Sequence, residues 1–380
     1  MKKDILYILL IGVVVKIIYF VFAEIVSIAN PFPNIDPSVF YDYKGKHGIV
    51  NITALNDGQW YKNIAEKGQQ NVTPDDLLPN FKNHYRYSSF IFFPLYPYTV
   101  RFLMTITGLG FVQVGFIFSL ILSLTLFLFF YKFSSDILGD KNQAFWATLL
   151  LIVFPFHFYY SMLYSESLYL ILLLLSFYSI QKEKWFVFVI ASSLLAITRA
   201  PGIIMGIPLF VYIIEKTKKE DILSKLTLLK VSLFSFMLIV YILYGIYLKR
   251  ITGEYFAFIE AGKGWGRPLS YIPVAGLFTE NFWRAHALSA YSTIFIIIGI
   301  LFYKQLRISF LLVIFLGIAL PLSTCTTNSM PRYISVLFPF MYIFSRRLMQ
   351  FKYKSLIIIS LFCLQLFTFY FFLVEDYLGY

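Results

Sequence analysis

The stretch FVQVGFIFSLILSLTLFLFFY, residues 111–131, contains no charged side chain. At about 1.5 Å of rise per residue it makes a helix of roughly 31 Å, the depth of a bilayer's hydrocarbon core, where a helix satisfies its own backbone. The pattern recurs along the whole chain. Residues 5–28, 143–159, 167–181, 185–198, 201–215, 226–248, 286–303, 308–323, 333–345 and 355–374 are further apolar runs with few or no charges, so eleven crossings are expected. Of the 380 residues, 59% are hydrophobic and only 14% charged, with mean hydropathy +0.73. A soluble domain carries about 25% charged residues, so composition excludes that class, and disorder and collagen with it. No Gly/Ser-rich or Pro-rich linker divides the runs. Residues 1–380 therefore read as one unit, an all-α polytopic integral membrane protein.

Thirty-two Lys and Arg against twenty Asp and Glu give a net charge of +12. With a cytoplasmic N-terminus, the inside connections hold Lys2 and Lys3, Lys132 and Lys141, Lys182 and Lys184, Lys216 and Lys225, Lys304 and Arg307, and Arg346, Arg347, Lys352 and Lys354. Each is basic, as cytoplasmic loops facing anionic lipid are, so the excess points to membrane lipids and not to nucleic acid. The first run is too long for a signal-peptide core and no small-residue cleavage site follows, so it reads as a retained helix. Residues 91–110, with Pro94, Pro97 and Arg101, could be counted as a span. A crossing there with the N-terminus inside would put every later basic loop outside. A twelve-helix chain with its N-terminus outside would satisfy the charges, but it would set the 29–90 loop apart from the other irregular turns. An interfacial or re-entrant segment on the outer face is the expectation.

The unusual sequence then collects on the outer face: a first outer loop at 29–110, turns at 155–166, 198–202 and 323–332, and a second outer loop at 249–285. Runs 185–198 and 201–215 reach only roughly 21 Å each, so their shared apex, Thr198-Arg199-Ala200-Pro201-Gly202, should lie below the outer surface. Run 333–345 is short too and begins at Met330-Pro331-Arg332-Tyr333. Irregular backbone at membrane depth needs protein around it or a wet cavity beside it, so a cavity open to the outer face is expected.

Several residues there could carry chemistry. In Asn56-Asp57-Gly58-Gln59-Trp60-Tyr61-Lys62-Asn63-Ile64-Ala65, closing at Gly68, the spacing predicts a short surface helix with Asp57 as N-cap, Gly68 as stop, and an apolar stripe turned to the membrane. Asp57 shares that stripe, so its carboxylate should look into the cavity, where it could accept a proton; a plain helix cap is the simpler role. Phe92-Phe93-Pro94-Leu95-Tyr96-Pro97 suits an aromatic belt and would kink a helix at Pro97. Glu166, in Tyr164-Ser165-Glu166-Ser167-Leu168-Tyr169, is an acid among apolar residues, either functional or paired structurally with Arg199. Arg199 and Arg332, each beside a proline, suit a phosphate, or snorkel to headgroups. Gly262-Lys263-Gly264-Trp265-Gly266-Arg267 fits a mobile cationic cover over an anionic or sugar ligand. Lys16, halfway along the first span with Glu24 two turns on, reads as a pair within the bundle or a snorkelling side chain. Cys325 and Cys363 stand alone. His47, His84, His157 and His286 lack metal-ligand spacing, and no Walker loop, Rossmann fingerprint or G-x-S-x-G elbow occurs, so neither metal nor cofactor is expected. Sequons fall at Asn51 and Asn71.

Taken in order, Asp57-Gly58-Gln59-Trp60-Tyr61-x-x-Ile64-Ala65-x-x-Gly68, Phe92 to Pro97, Tyr164 to Leu168, Arg199-Ala200-Pro201-Gly202, and Pro331-Arg332-Tyr333 with Phe338-Pro339 resemble the PIG-V family, the GPI mannosyltransferase 2 enzymes and their bacterial relatives in the GT-C class. The resemblance covers about residues 55–345. It implies a GT-C bundle with surface helices in the first outer loop, and an inverting transferase that takes mannose from a polyprenyl or dolichyl phosphate mannose donor without a nucleotide. It further implies Asp57 as general base toward a glycan or glycolipid acceptor, phosphate held by Arg199 and Arg332, and substrate contacts from Trp60, Tyr61, Tyr96, Tyr164, Glu166, Lys263 and Arg267. The family often has Trp where Asn56 stands here, and residues 71–86 align with nothing in it. A lipid-linked sugar transporter, or a GT-C transferase of another sugar such as arabinose or aminoarabinose, is the alternative. The site would face the periplasm or exterior in a bacterium, and the endoplasmic reticulum lumen in a eukaryote.

Overall fold

The computed structural model describes residues 2–29, 49–70, 88–279 and 283–374. Every regular element among them is a helix. In chain order these are α1 (Lys2–Ala29), α2 (Ile49–Ile52), α3 (Asp57–Lys67), α4 (Leu95–Thr107), α5 (Phe111–Leu138), α6 (Lys141–Val153), α7 (Glu166–Gln181), α8 (Trp185–Ala196), α9 (Pro201–Ile204), α10 (Gly206–Lys216), α11 (Lys225–Ser232), α12 (Phe234–Thr252), α13 (Ala257–Gly264), α14 (Trp283–Leu301), α15 (Ile308–Leu322), α16 (Met330–Ser335), α17 (Pro339–Leu348) and α18 (Lys354–Leu373). Four stretches are long and apolar enough to cross a membrane: α1, α5, α11 continued by α12, and α18. Shorter apolar helices, α7, α8, α14 and α15 among them, pack beside these. Their outward side chains, including Val14, Ile17, Ile121, Ile242 and Ile359, are exposed and apolar. A belt of that kind needs hydrocarbon against it, and the chain is an integral membrane protein.

Prolines set where the apolar runs break. Run 143–159 stops at Val153, two residues before Pro155, and continues as a 3-10 turn, His157–Ser161. Run 201–215 breaks at Met205, which leaves Pro208 in the first turn of α10, where no amide is needed. Run 333–345 divides before Pro339, and Phe338 at the division packs its ring near Phe130, Phe133, Phe177, Phe310 and Tyr342, with centroids 5.3–6.4 Å away. Lipid gives helices no hydrophobic reason to associate, so such interlocked aromatics hold the middle of the bundle by contact. Pro97 does not kink a helix as the sequence suggested. α4 begins at Leu95, so the proline occupies its first turn.

Polar contacts fix the helix directions. The Tyr131 hydroxyl near the end of α5 donates to the Asp4 carboxylate at the start of α1 (2.7 Å). Between these two helices the chain therefore crosses an even number of times. The described helices there, α2, α3 and α4, have 4, 11 and 13 residues, and α4 packs on α3 and α5. Lys182 pairs with Asp136 (2.7 Å), the Gln143 amide donates to the Tyr342 carbonyl (3.3 Å), and the Tyr212 hydroxyl donates to Gln181 (2.7 Å). The basic connections thus share one end. The 53–57, 163–166, 198–202 and 323–332 segments meet at the other.

Within that second end, the α8–α9 turn depends on a close approach. Gly202 donates its amide to the Arg199 carbonyl (2.8 Å), and a Cβ on it would stand 2.0 Å from the Leu195 carbonyl oxygen. Backbone cannot yield as a side-chain tip can. Gly202→Ala should therefore lower stability by about 2 kcal/mol or more, read as an earlier thermal midpoint in detergent, and a wild-type melt would show that the approach is looser.

Candidate active site

The site grows from two pinned turns. Asn56 takes φ 56°, and Asp57 is the first helical residue of α3, not the N-cap expected from its sequence position. Gly68 does end the helix, its amide donating to the Ile64 carbonyl (2.8 Å). The stripe of α3 also faces inward and not toward lipid: Tyr61, Ile64 and Ala65 are buried with Tyr96, Val100, Phe111, Val114 and Leu163. α4 and α5 supply a covering surface that sequence periodicity alone does not reveal. The turn before α7 is tied to the chain before α3, with the Leu163 amide donating to the Thr53 carbonyl (2.8 Å) and the Tyr164 hydroxyl to the Leu55 carbonyl (3.0 Å). These bonds set Asp57 and Glu166 side by side.

Between and beyond the two acids stand two arginines, from the α8–α9 turn and from α16. Arg332 donates from Nη1 to the Asp57 carboxylate and from Nε to Glu166, while Arg199 donates from Nη1 to the same Glu166 oxygen (2.5 Å). Charge alternates along the series Asp57, Arg332, Glu166, Arg199. Glu166 is wholly buried and both arginines nearly so, while the Asp57 side chain keeps 28% exposure. Lone charges there would cost several kcal/mol each, and alternation offsets that cost. Rings add to the hold: Tyr164 lies 4.4 Å from the Arg332 guanidinium and Tyr333 5.3 Å from that of Arg199. The Tyr61 hydroxyl shares a hydrogen bond with the Ser165 hydroxyl (2.9 Å), and burial pushes its phenol up to about 12, so it stays neutral.

A cavity of about 770 Å³ opens onto this series. Asp57, Tyr61, Arg199, Arg332 and Arg267 line its charged part, and Phe92, Ile203, Tyr241, Phe258, Ile259 and Leu320 line an apolar remainder. Arg267 donates to the Asn328 carbonyl (3.0 Å) and the Ser329 hydroxyl (3.2 Å). The segment 262–267 is not the open loop its glycines suggested: Gly262 and Gly264 belong to α13, and the Arg267 amide donates back to the Gly262 carbonyl (2.8 Å). Trp60 sits one layer behind, stacked on Phe92 (5.7 Å) with Trp265 edge-on (4.9 Å). Tyr164 serves as the platform under Arg332. Of the expected residues, Trp60, Tyr96, Tyr164, Glu166 and Lys263 do not line the cavity, and Tyr96 and Lys263 have partners elsewhere. Tyr96 is buried with its hydroxyl on Ser119 (2.8 Å), and Lys263 pairs at the surface with Glu260 (2.8 Å).

Outside the site, Lys16 is buried and donates to the Ser161 hydroxyl (2.5 Å), and the buried His157 ring meets the Leu151 carbonyl (2.6 Å). Asn51 falls in α2; Asn71, His47, His84 and residues 71–86 lie outside the described residues. Among the described residues no group of His, Cys, Asp and Glu could hold a metal ion. The sequence reading assigned no role to Tyr333, whose ring lies between the guanidiniums of Arg199 and Arg267 (5.3 and 5.9 Å), or to the Asn328 and Ser329 acceptors. The polar run Ser323 to Ser329 before Met330 was their only signal. The chain matches no protein-family model and no curated protein.

Glu166 and Lys263 should behave oppositely on substitution. Glu166→Gln leaves two guanidiniums facing each other in a buried place and should cost about 3 kcal/mol or more. Lys263→Gln breaks an exposed pair and should shift stability by less than about 1 kcal/mol. Thermal unfolding in detergent separates the two, and equal losses would mean that the buried series does not hold the turns together.

Proposed function

We propose that the chain is an inverting, GT-C-type glycosyltransferase, a bundle of about eleven transmembrane helices. In this reading it moves mannose from a polyprenyl or dolichyl phosphate mannose donor to a glycan or glycolipid hydroxyl at the outer membrane face. One observation carries this reading: a carboxylate and three guanidiniums line part of a cavity whose remaining wall is mostly apolar. A lipid phosphate sugar has that same division, with an anionic head and a hydrocarbon tail. The resemblance of the motifs to the PIG-V family supports mannose as the sugar. In this reading the basic end is cytoplasmic, as the charge rule favours, and the cavity faces the periplasm or exterior of a bacterial inner membrane, or the endoplasmic reticulum lumen of a eukaryote.

The residues divide the work as follows. The acceptor oxygen attacks the anomeric carbon, and its proton passes to the Asp57 carboxylate. The bond from that carbon to the phosphate oxygen breaks, and its electron pair leaves on the lipid phosphate. A single displacement inverts the centre and needs one base. Charge gathering on the phosphate meets Arg332, Arg199 and Arg267, whose planar forks suit its oxygens. Glu166, which the family resemblance implies as a sugar contact, is too deeply buried to touch one. It is a positioning residue that sets the two guanidiniums. Tyr333, on the cavity wall, offers a ring face to a sugar, while Tyr61 lines the same wall with its hydroxyl on Ser165.

A transporter of the same lipid needs a route through the bundle. The aromatic group around Phe338 fills the middle between the cavity and the basic end, which favours the transferase. The deciding assay is the purified chain with radiolabelled polyprenyl phosphate mannose and a panel of acceptors. Asp57→Asn should cut turnover by about 10²-fold or more while donor binding persists. Transfer that survives the substitution, or no transfer by the wild type to any acceptor or to water, would remove Asp57 or the enzyme reading respectively.

A further inference from the structure

The Asp57–Arg332 pair presents a conflict. Asp57 is the proposed base and Arg332 a proposed ligand for the phosphate, yet each occupies the other. A carboxylate oxygen engaged by a guanidinium is turned toward it and away from an acceptor hydroxyl in the cavity. A guanidinium held by a carboxylate has fewer donors and less net charge for a phosphate. Arg332 is also fixed from behind: its Nε bonds Glu166, its guanidinium lies on Tyr164, and Glu166 is fastened in turn by Arg199. Asp57 is the mobile partner of the two, since its carboxylate has the cavity in front of it and keeps exposure that Glu166 lacks.

We infer that the Asp57–Arg332 ion pair is a latch: the phosphate of the lipid donor takes the place of the Asp57 carboxylate on Arg332, and so releases the base only when a donor is loaded. This rests on the proposed reading of the site. The exchange trades one anion for another on the same guanidinium, so the buried series keeps its alternation throughout. Asp57 turns into the cavity beside the sugar and accepts the acceptor's proton as the new glycosidic bond forms. When the lipid phosphate departs, the Nη1 side of Arg332 is left without an anion, while its Nε stays on Glu166. That freed edge draws the Asp57 side chain back, the proton passes to water, and the resting pair is restored. Donor therefore binds before acceptor, and the empty enzyme has no active base.

The test uses the full chain in lipid nanodiscs and polyprenyl phosphate, the product lipid without its sugar, with binding followed by native mass spectrometry. Asp57→Asn removes the competitor without changing size, and should bind the lipid phosphate about tenfold or more tighter than wild type. Asp57→Glu keeps the charge and should bind within about threefold of wild type. Equal affinities for wild type and Asp57→Asn overturn the latch and leave the lipid phosphate reading standing. Absence of binding to either protein overturns both. A cryo-electron microscopy structure of the wild type with polyprenyl phosphate decides the matter without substitutions: Asp57 parted from Arg332 is the expected result, and an intact pair beside a bound phosphate sinks the latch.

Discussion

Two carboxylates and two guanidiniums can be held within an apolar bundle only in alternation, and this requirement organises one whole end of the molecule. Each charge comes from a different part of the chain: Asp57 from α3, Glu166 from α7, Arg199 from the α8–α9 turn, and Arg332 from α16. None can be moved far without stranding its neighbour, so four separate segments are registered against one another by electrostatics. In a solvent of lipid tails, where apolar contact gives no net drive, this network and the interlocked rings deeper in the bundle are what choose one packing among many.

The helical breaks serve the same end. A continuous α8–α10 would carry Arg199 on an unbroken helical surface, and a continuous α16–α17 would do likewise for Arg332. Pro201, Pro208 and Pro339 prevent both, and Gly202 lets the returning chain pass against the Leu195 carbonyl. Each arginine is thereby delivered from a turn or a short helix, where its side chain can aim sideways into the cavity. The cavity's apolar wall is made partly by α13, which contributes Phe258 and Ile259.

The four long apolar helices were legible in hydropathy as runs 5–28, 111–131, 226–248 and 355–374, because a run such as residues 111–131 has few other stable states. A break in the chain at Arg199 was legible from the two short runs around Pro201, and the structure buries that arginine beside the cavity. The direction of the α3 stripe was not, since an amphipathic period tells which side chains share a face and says nothing about whether lipid or protein covers it. Asp57 as the first helical residue, with Arg332 in place of a cap bond, was equally hidden, because its partner lies 275 residues away. Glu166 was legible as an expensive acid and its pairing with Arg199 as one of two options; that it also holds Arg332 depends on how α16 enters. Tyr96 and Lys263 show the converse. Their residue types suit a sugar site, but local partners, Ser119 and Glu260, claim them first.

Lys16 carries a lesson about biogenesis. Its ammonium rests on Ser161, a residue made 145 positions later. At ordinary translation speeds of about 5–20 residues per second, the first helix waits on the order of ten seconds in the translocation machinery or the bilayer before that hydroxyl exists. Insertion scales charge such a side chain about 3 kcal/mol at mid-membrane, so the leucines, isoleucines and valines around it must be numerous enough to keep the helix in place unaided. The hydrophobic excess of α1 is in this sense provisioning for an interval in assembly, and it persists in the finished protein as a greasy outer face.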